Sequence, residues 1–271
     1  MSELKTTQKK EEDTMYQARF RIEGETAVIT GGGRGIGLAC AEALGEAGAK
    51  LVLIENQEEV GQSGLESLLA KGYQAELFVG DVTSSARMDE IAALLAERGT
   101  PATILVNNAG IGESGTSSED VTDDSWLRMM NVNVNGLFWC SRAFGRHMIK
   151  AKRGSIVNLG SMSGTIANRP QPQTPYNVSK AAVHHITKSM AAEWAPHGIR
   201  INAVAPTYIE TPMVHANPLN KDRIPAWLHD TPMARMGQAS EVASAVLFLA
   251  TDSASLITGA IVPVDGGYTV W

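Results

Sequence analysis

Cysteine is almost absent from this chain: Cys40 and Cys140 are the only two among 271 residues, each inside a helical pattern. So few thiols exclude a disulfide framework and a cysteine zinc site, and a reducing cytoplasm is the compartment that fits. Six histidines give no metal-ligand spacing either, because His184 and His185 are adjacent and splay around a helix while the rest stand singly. Long apolar runs are missing as well; none approaches the ~20 residues needed to cross a bilayer, so no membrane partner is expected. The N-terminus lacks the apolar segment of a signal peptide. It is polar and mixed in charge, with Lys9-Lys10 followed by Glu11-Glu12-Asp13, and residues 1–20 are expected to be a mobile tail. Lys and Arg number 23 against 29 Asp and Glu, a net charge of −6 without a basic cluster. That balance argues against nucleic acid, whose phosphates need concentrated Lys and Arg, and leaves a small molecule as the expected partner.

What is present is an ordinary globular composition, 44% hydrophobic and 19% charged, in a chain long enough for a full core. From Thr26 onward, short apolar runs alternate with longer helical patterns, the mark of a parallel sheet covered on both faces. Strands are expected at Ala27–Thr30, Leu51–Glu55, Ala75–Val79, Ile104–Asn107, Ser155–Leu159, Arg200–Val204 and Ile261–Val264. Helices are expected to start near Gly35, Glu58, Ser84, Ser125, Pro175 and Ser240. No linker, repeat or change of composition divides the chain. The expected fold is therefore a single α/β domain over residues 21–271, a Rossmann-type doubly wound sheet of seven parallel strands. One irregular insertion, at about 207–237, carries four of the eleven prolines: Pro212, Pro218, Pro225 and Pro232. Its length in a compact fold marks it as a candidate lid or substrate loop.

Chemistry begins at Thr30-Gly31-Gly32-Gly33-Arg34-Gly35-Ile36-Gly37, which follows the first strand and opens the first helix. Glycines there let the backbone turn tightly and bring its amides up to a pyrophosphate. The spacing is Gly-x-x-x-Gly-x-Gly rather than the commoner dinucleotide fingerprint. Glu55 ends the second strand 18 residues beyond Gly37. A carboxylate at that place accepts from the adenosine ribose hydroxyls and repels a 2′-phosphate, which favours NAD over NADP. Arg34 argues the other way, since a guanidinium could reach such a phosphate. Asp81-Val82 after the third strand would sit against adenine, and Asn107-Asn108-Ala109-Gly110 after the fourth leaves room for a flat ring at the carboxyl edge of the sheet.

Tyr176 and Lys180 stand four residues apart in Thr174-Pro175-Tyr176-Asn177-Val178-Ser179-Lys180, which places both on one face of a helix. Thr174 is the expected cap and Pro175 the first helical residue, so Tyr176 lies in the first turn. A neighbouring ammonium and the positive helix end both favour the ionised phenol, moving a group of pKa near ~10 toward use as an acid or base.

Taken together in chain order, the glycine motif, Asn108-Ala109-Gly110 and Tyr176-x-x-x-Lys180 resemble the short-chain dehydrogenase/reductase family over residues 22–271. The resemblance implies a catalytic set of Asn133, Ser161, Tyr176 and Lys180, with Asn133 carried by Val132-Asn133-Val134-Asn135-Gly136-Leu137-Phe138. Asn133 would fix a helix bend and hold a relay water, and Lys180 would also bind the nicotinamide ribose. Ser161 lies fifteen residues before Tyr176, a longer gap than is usual in the family, so Ser163 is its rival on spacing alone. Ser161 is preferred because it directly follows the fifth strand. Pro206-Thr207-Tyr208-Ile209-Glu210-Thr211 takes the place of the family segment that closes over the nicotinamide, with Ile209 and Thr211 as carboxamide contacts and Thr207 where a glycine is usual.

The segments Asn158 to Ile166, Asn168-Arg169-Pro170-Gln171 and Val264 to Trp271 are similar to polyol dehydrogenases within that family. That likeness implies NAD-linked oxidation of a secondary alcohol in a polyol or vicinal diol to the ketose or ketone, with Ser163 and Asn168 lining the substrate pocket. It further implies a homotetramer whose C-terminus crosses to a neighbour, and Trp271 is expected to pack in a core or an interface. Two alternatives stand beside it. A 3-oxoacyl-carrier-protein reductase would use Arg142, Arg146, Lys150, Lys152 and Arg153 as a basic docking patch. A catalytically silent NAD-sensing protein would tolerate loss of Tyr176 or Lys180.

Overall fold

The described residues of the computed structural model are 15–271, so most of the expected tail lies outside them. Its last residues do take a defined form: Ala18–Phe20 makes one 3-10 turn, and the Phe20 ring stands 6.4 Å from that of Phe248.

All seven expected strands form. They are β1 (Thr26–Thr30), β2 (Lys50–Glu55), β3 (Ala75–Val79), β4 (Ile104–Asn107), β5 (Gly154–Leu159) and β6 (Ile199–Pro206), with β9 (Ile261–Val264) last. Every pairing is parallel, in the order β3-β2-β1-β4-β5-β6-β9. Successive residues of a strand point to opposite faces. Ala27, Ile29, Leu51, Leu53, Ile104 and Val106 accordingly fill one core, while Val28, Val52, Ile54, Leu105, Ile156 and Ile201 fill the other. Such two-sided burial is why these strands read as unbroken apolar runs.

The helices are α1 (Gly35–Glu46), α2 (Glu58–Ala70), α3 (Ser85–Glu97), α4 (Asp123–Met130), α5 (Leu137–Ala151), α6 (Thr174–Trp194), α7 (Pro212–Ala216), α8 (Asn220–Asp230) and α9 (Ala239–Ala250). Between α4 and α5 the chain widens into a π-helical segment, Asn131–Gly136. None of the helices among the described residues is long and apolar enough to cross a membrane.

The insertion is not irregular, as its prolines suggested. It holds α7 and α8, closed off by a two-residue parallel pair, β7 (Ile209–Glu210) with β8 (Gly237–Gln238). Pro212 opens α7, where a missing amide costs nothing, but Pro225 lies within α8.

Strand order reverses between β1 and β4, which opens a crevice beyond their carboxyl ends. The glycine turn, Asn108, Ser161 and Pro206 all leave the sheet at that edge.

Candidate active site

The glycine turn is built for close backbone approach. A Cβ on Gly37 would come within 2.1 Å of the Gly31 carbonyl oxygen, and one on Gly33 within 2.7 Å of the Val60 oxygen. Gly31 and Gly35 take φ of +61° and +58°, the left-handed region that favours glycine. Asn108 holds the turn from the β4 side. Its Nδ2 donates to the carbonyls of Thr30 (3.0 Å) and Gly31 (2.9 Å), while the amides of Asn108 and Ala109 both donate to Thr30 Oγ1. The result is a rigid strand-to-helix cradle whose geometry fits a dinucleotide pyrophosphate at the start of α1.

Glu55 is buried at the end of β2, where one carboxylate oxygen accepts from the amides of Asn56 and Gln57. Its second oxygen makes no hydrogen bond among the described residues. Arg34 stands exposed at the head of α1. Asp81 is exposed and caps the Thr83 amide at 2.8 Å, whereas Val82 is buried against Gly136, where a Cβ would come within 2.7 Å of it.

Asn133 sits in the π-helical segment, 2% exposed. Its Oδ1 accepts from the Ile111 amide and its Nδ2 donates to the Ile111 carbonyl, each at 2.9 Å, with Ser179 Oγ at 3.0 Å. One side chain thereby ties the loop after β4 to both the π-helical segment and α6.

Ser161 lies two residues beyond the end of β5 and accepts from the Ser163 amide at 3.1 Å. Its Oγ also donates to the Pro206 carbonyl at 3.5 Å, and it lies near enough to the Tyr176 hydroxyl to favour the ionised phenol. Ser163 is turned to a different neighbour, accepting from Gln173 Nε2 at 3.3 Å.

Two expectations about Tyr176 and Lys180 need correction. Thr174 is not the cap of α6: the helix includes it, Gln173 holds the cap position without a side-chain bond, and the Thr174 hydroxyl pairs with Ser118 Oγ at 2.7 Å. Nor does the lysine depress the phenol in the protein alone. Burial pushes the Tyr176 pKa up, with the nearby Ser161 hydroxyl acting against the shift. Lys180 Nζ donates to the Leu159 carbonyl at 2.7 Å and lies 5.6 Å from the Tyr176 ring centroid, over the face rather than at the hydroxyl. Burial in turn lowers the Lys180 pKa to about 8.

A cavity of about 220 Å³ joins these groups. Ser161, Ser163, Asn168, Tyr176 and Lys180 line it, together with Ile36, Asn108, Gly110, Pro206, Ile209 and Thr211. Gly31, Arg34, Gly37, Glu55, Asp81, Val82, Ala109 and Asn133 lie outside its lining.

Many lining residues were not among the expected site residues, and Gln171, Gln173, Tyr208 and Trp227 stand out among them. Gln171 and Gln173 carry no recognisable spacing. Trp227 reaches the cavity only because α8 folds back over it, stacking on Tyr208 with ring centroids 3.8 Å apart and planes 5° from parallel. The polar stretch around Gln171 was the one available signal.

Trp271, expected in a core or an interface, is 75% exposed in the single chain, so core packing is excluded. His184 is buried and His185 exposed, as adjacent helical positions dictate.

Comparison with known proteins settles the family. The family described as Enoyl-(Acyl carrier protein) reductase matches residues 31–269. The chain belongs to the short-chain dehydrogenase/reductase family. A galactitol 2-dehydrogenase of Rhizobium johnstonii is 69% identical over 94% of this chain and 99% of its own length. The crystal structure of gox2181, 47% identical, superposes with a TM-score of 0.92 over 95% of this chain and 100% of that one. The structure of a gluconate 5-dehydrogenase from Burkholderia cenocepacia in complex with NADP and tartrate is 36% identical, with a TM-score of 0.86 over 93% of this chain and 99% of that one.

Proposed function

We propose that this member of the family is an NAD-dependent polyol dehydrogenase, interconverting a secondary alcohol of a polyol or vicinal diol with the corresponding ketose or ketone. One observation carries the reading: Tyr176, Ser161 and Lys180 meet at a cavity whose remaining wall is rich in amides and hydroxyls, from Ser163, Asn168, Gln171, Gln173 and Tyr208. A site for acyl chains would be apolar there. The likeness to a galactitol 2-dehydrogenase points the same way.

When bound, the nicotinamide supplies the hydride acceptor in oxidation and the donor in reduction. The residues that would hold the dinucleotide are Gly31, Ile36 and Gly37 with Arg34 at the pyrophosphate, Glu55 at the ribose, Asp81 and Val82 at the adenine, Asn108 to Gly110 along the crevice, and Lys180, Pro206, Ile209 and Thr211 at the nicotinamide end. Tyr176 takes the hydroxyl proton in oxidation and returns it in reduction. Ser161 hydrogen-bonds the reacting oxygen as charge develops. Lys180 adds positive charge across the ring face, and Asn133 holds the adjoining loop in place. Because burial raises the phenol pKa, oxidation gains with rising pH, while reduction, which needs the protonated phenol, runs at neutral pH.

Glu55 favours NAD, since its buried carboxylate would face a 2′-phosphate. The docking patch needed by a carrier-protein reductase is largely spent: Arg142 donates to Ser85, Arg146 pairs with Asp89 and Arg153 with Glu25. A cytoplasmic homotetramer completes the reading. Trp126, Leu127, Phe138 and Trp271 are exposed and available to bury between copies.

The test is a screen of cofactor reduction with polyols of four to six carbons, vicinal diols and hydroxyacyl thioesters, each with NAD and with NADP. Polyol oxidation with NAD is expected, and Glu55→Gln should shift the kcat/KM ratio toward NADP at least roughly tenfold. Tyr176→Phe should keep NAD binding yet lose at least ~10²-fold in kcat. Preference for thioesters, or undiminished turnover without the phenol, would overturn the assignment.

A further inference from the structure

The amides lining the cavity are not independent; they form one directed hydrogen-bond chain with a fixed starting point. Trp227, 3% exposed, donates from its indole Nε1 to Gln171 Oε1 at 3.1 Å. An indole N–H can only donate, so the oxygen of Gln171 must face it. Gln171 Nε2 is then compelled to donate in the other direction, to Tyr208 OH at 3.1 Å and to Gln173 Oε1 at 3.3 Å. The same logic passes to Gln173, whose Nε2 donates to Ser163 Oγ at 3.3 Å and to Asn177 Oδ1 at 3.0 Å. Ser163 and Tyr208 both receive hydrogen bonds from this chain, and Tyr208 receives another from Asn168 Nδ2 at 3.2 Å. The Ser163 hydroxyl is left with its own proton to give, whereas the Tyr208 hydroxyl faces the buried Tyr268 hydroxyl. Amide orientation alone would be a twofold choice at every glutamine; a single donor-only group removes it.

We propose that Trp227 is a specificity-determining positioning residue. Its indole N–H, relayed through Gln171 and Gln173, makes the pocket wall present a hydroxyl donor at Ser163 to the hydroxyl oxygens of the substrate beyond the reacting vicinal pair. The proposal rests on the polyol reading of the site, and Trp227 acts through its neighbours rather than on the reacting atoms. Both glutamines are buried, at 4% and 9% exposed, so water cannot freely re-satisfy a misdirected amide.

Two variants separate this role from simple packing. Trp227→Phe keeps a ring to stack on Tyr208 and removes only the donor. Gln171→Glu keeps the acceptor facing Trp227 and removes the donor to Gln173 and Tyr208. Each is assayed in the oxidation direction with a six-carbon polyol and with butane-2,3-diol, which has no hydroxyl beyond the reacting pair, alongside a thermal melt. For both variants KM for the polyol is expected to rise roughly tenfold or more, with kcat and KM for the short diol and for NAD changed less than about twofold. Parallel losses on polyol and short diol mean a structural role and overturn the proposal, as does an unchanged polyol KM. A variant too unstable to assay is replaced by Gln173→Glu, which breaks the same chain further from Trp227 and must give the same split. Wild-type enzyme that oxidises the short diol but no polyol overturns the polyol reading itself and this proposal with it, an outcome distinguishable because no variant is needed to see it.

Discussion

At the residue scale, the cradle proposed for the dinucleotide depends on what glycine does not have. Gly37 faces the Gly31 carbonyl oxygen so closely that an added methyl would sit 2.1 Å from it and 2.5 Å from Asn108 Nδ2. Neither neighbour can yield: the first is backbone, and the second is bonded to two carbonyls of the turn. Gly37→Ala is therefore expected to weaken NAD binding at least tenfold in a fluorescence titration, with about 1–3 kcal/mol lost in urea unfolding. An alanine variant that binds NAD like the wild type would remove the turn from the cofactor site. This motif was legible in the sequence because the requirement is local, a glycine run between a strand and a helix. Both serines that the sequence offered line the cavity for a similar reason: the chain leaves β5 at Leu159 and runs straight along the cavity edge. The state of Tyr176 was not legible. Its i, i+4 spacing from Lys180 fixed a shared helix face, yet the ammonium reaches the ring face and the Leu159 carbonyl instead of the hydroxyl. Spacing alone does not tell where a four-carbon side chain ends.

At the element scale, the π-helical segment between α4 and α5 turns Asn133 inward to grip the Ile111 backbone by both its amide and its carbonyl. A widened turn of this kind commonly accompanies function, because it redirects one side chain without ending the helix. Asn133→Ala leaves the Ile111 groups and Ser179 short of a partner, and about 1–3 kcal/mol of stability should be lost in urea unfolding. The loop after β4 contributes Gly110 to Ile111 to the cavity wall, so kcat should fall in the same variant. Full stability and full kcat together would make the grip incidental. The strands were readable because two-sided burial imposes apolar runs, whereas α7 and α8 were hidden. Their prolines signal breaks, and the helices form nonetheless because Pro212 lies at a helix start and Trp227 anchors α8 through its stack on Tyr208. Gln171, Gln173 and Trp227 are brought together by that fold-back, a juxtaposition no local pattern encodes.

At the scale of the whole molecule, acid should reveal how tightly α6 is seated on the sheet edge. His184 is 8% exposed and wedged between the turns at Gly160 and Gly164, where added Cβ atoms would come within 2.6 Å of its ring. Burial, reinforced by the charges of Lys180 and Lys188, pushes its pKa down to about 4 from an ordinary 6.5. The unfolded chain therefore takes up a proton that the folded chain refuses between these values, so stability is complete above pH 6.5 and drains away as pH falls toward 4. With allowance for relaxation around the ring, the loss should be about 2 kcal/mol. Lys180, lowered to about 8, changes its contribution only above that pH, and Glu241, lowered to about 2, only below its ordinary 4.5, so the window between 6.5 and 4.5 isolates the histidine. Urea unfolding at fixed protein concentration across this window should give midpoints that fall with pH in the wild type and stay flatter in His184→Gln. Equal slopes in the two proteins would place the acid sensitivity elsewhere and free α6 from this constraint.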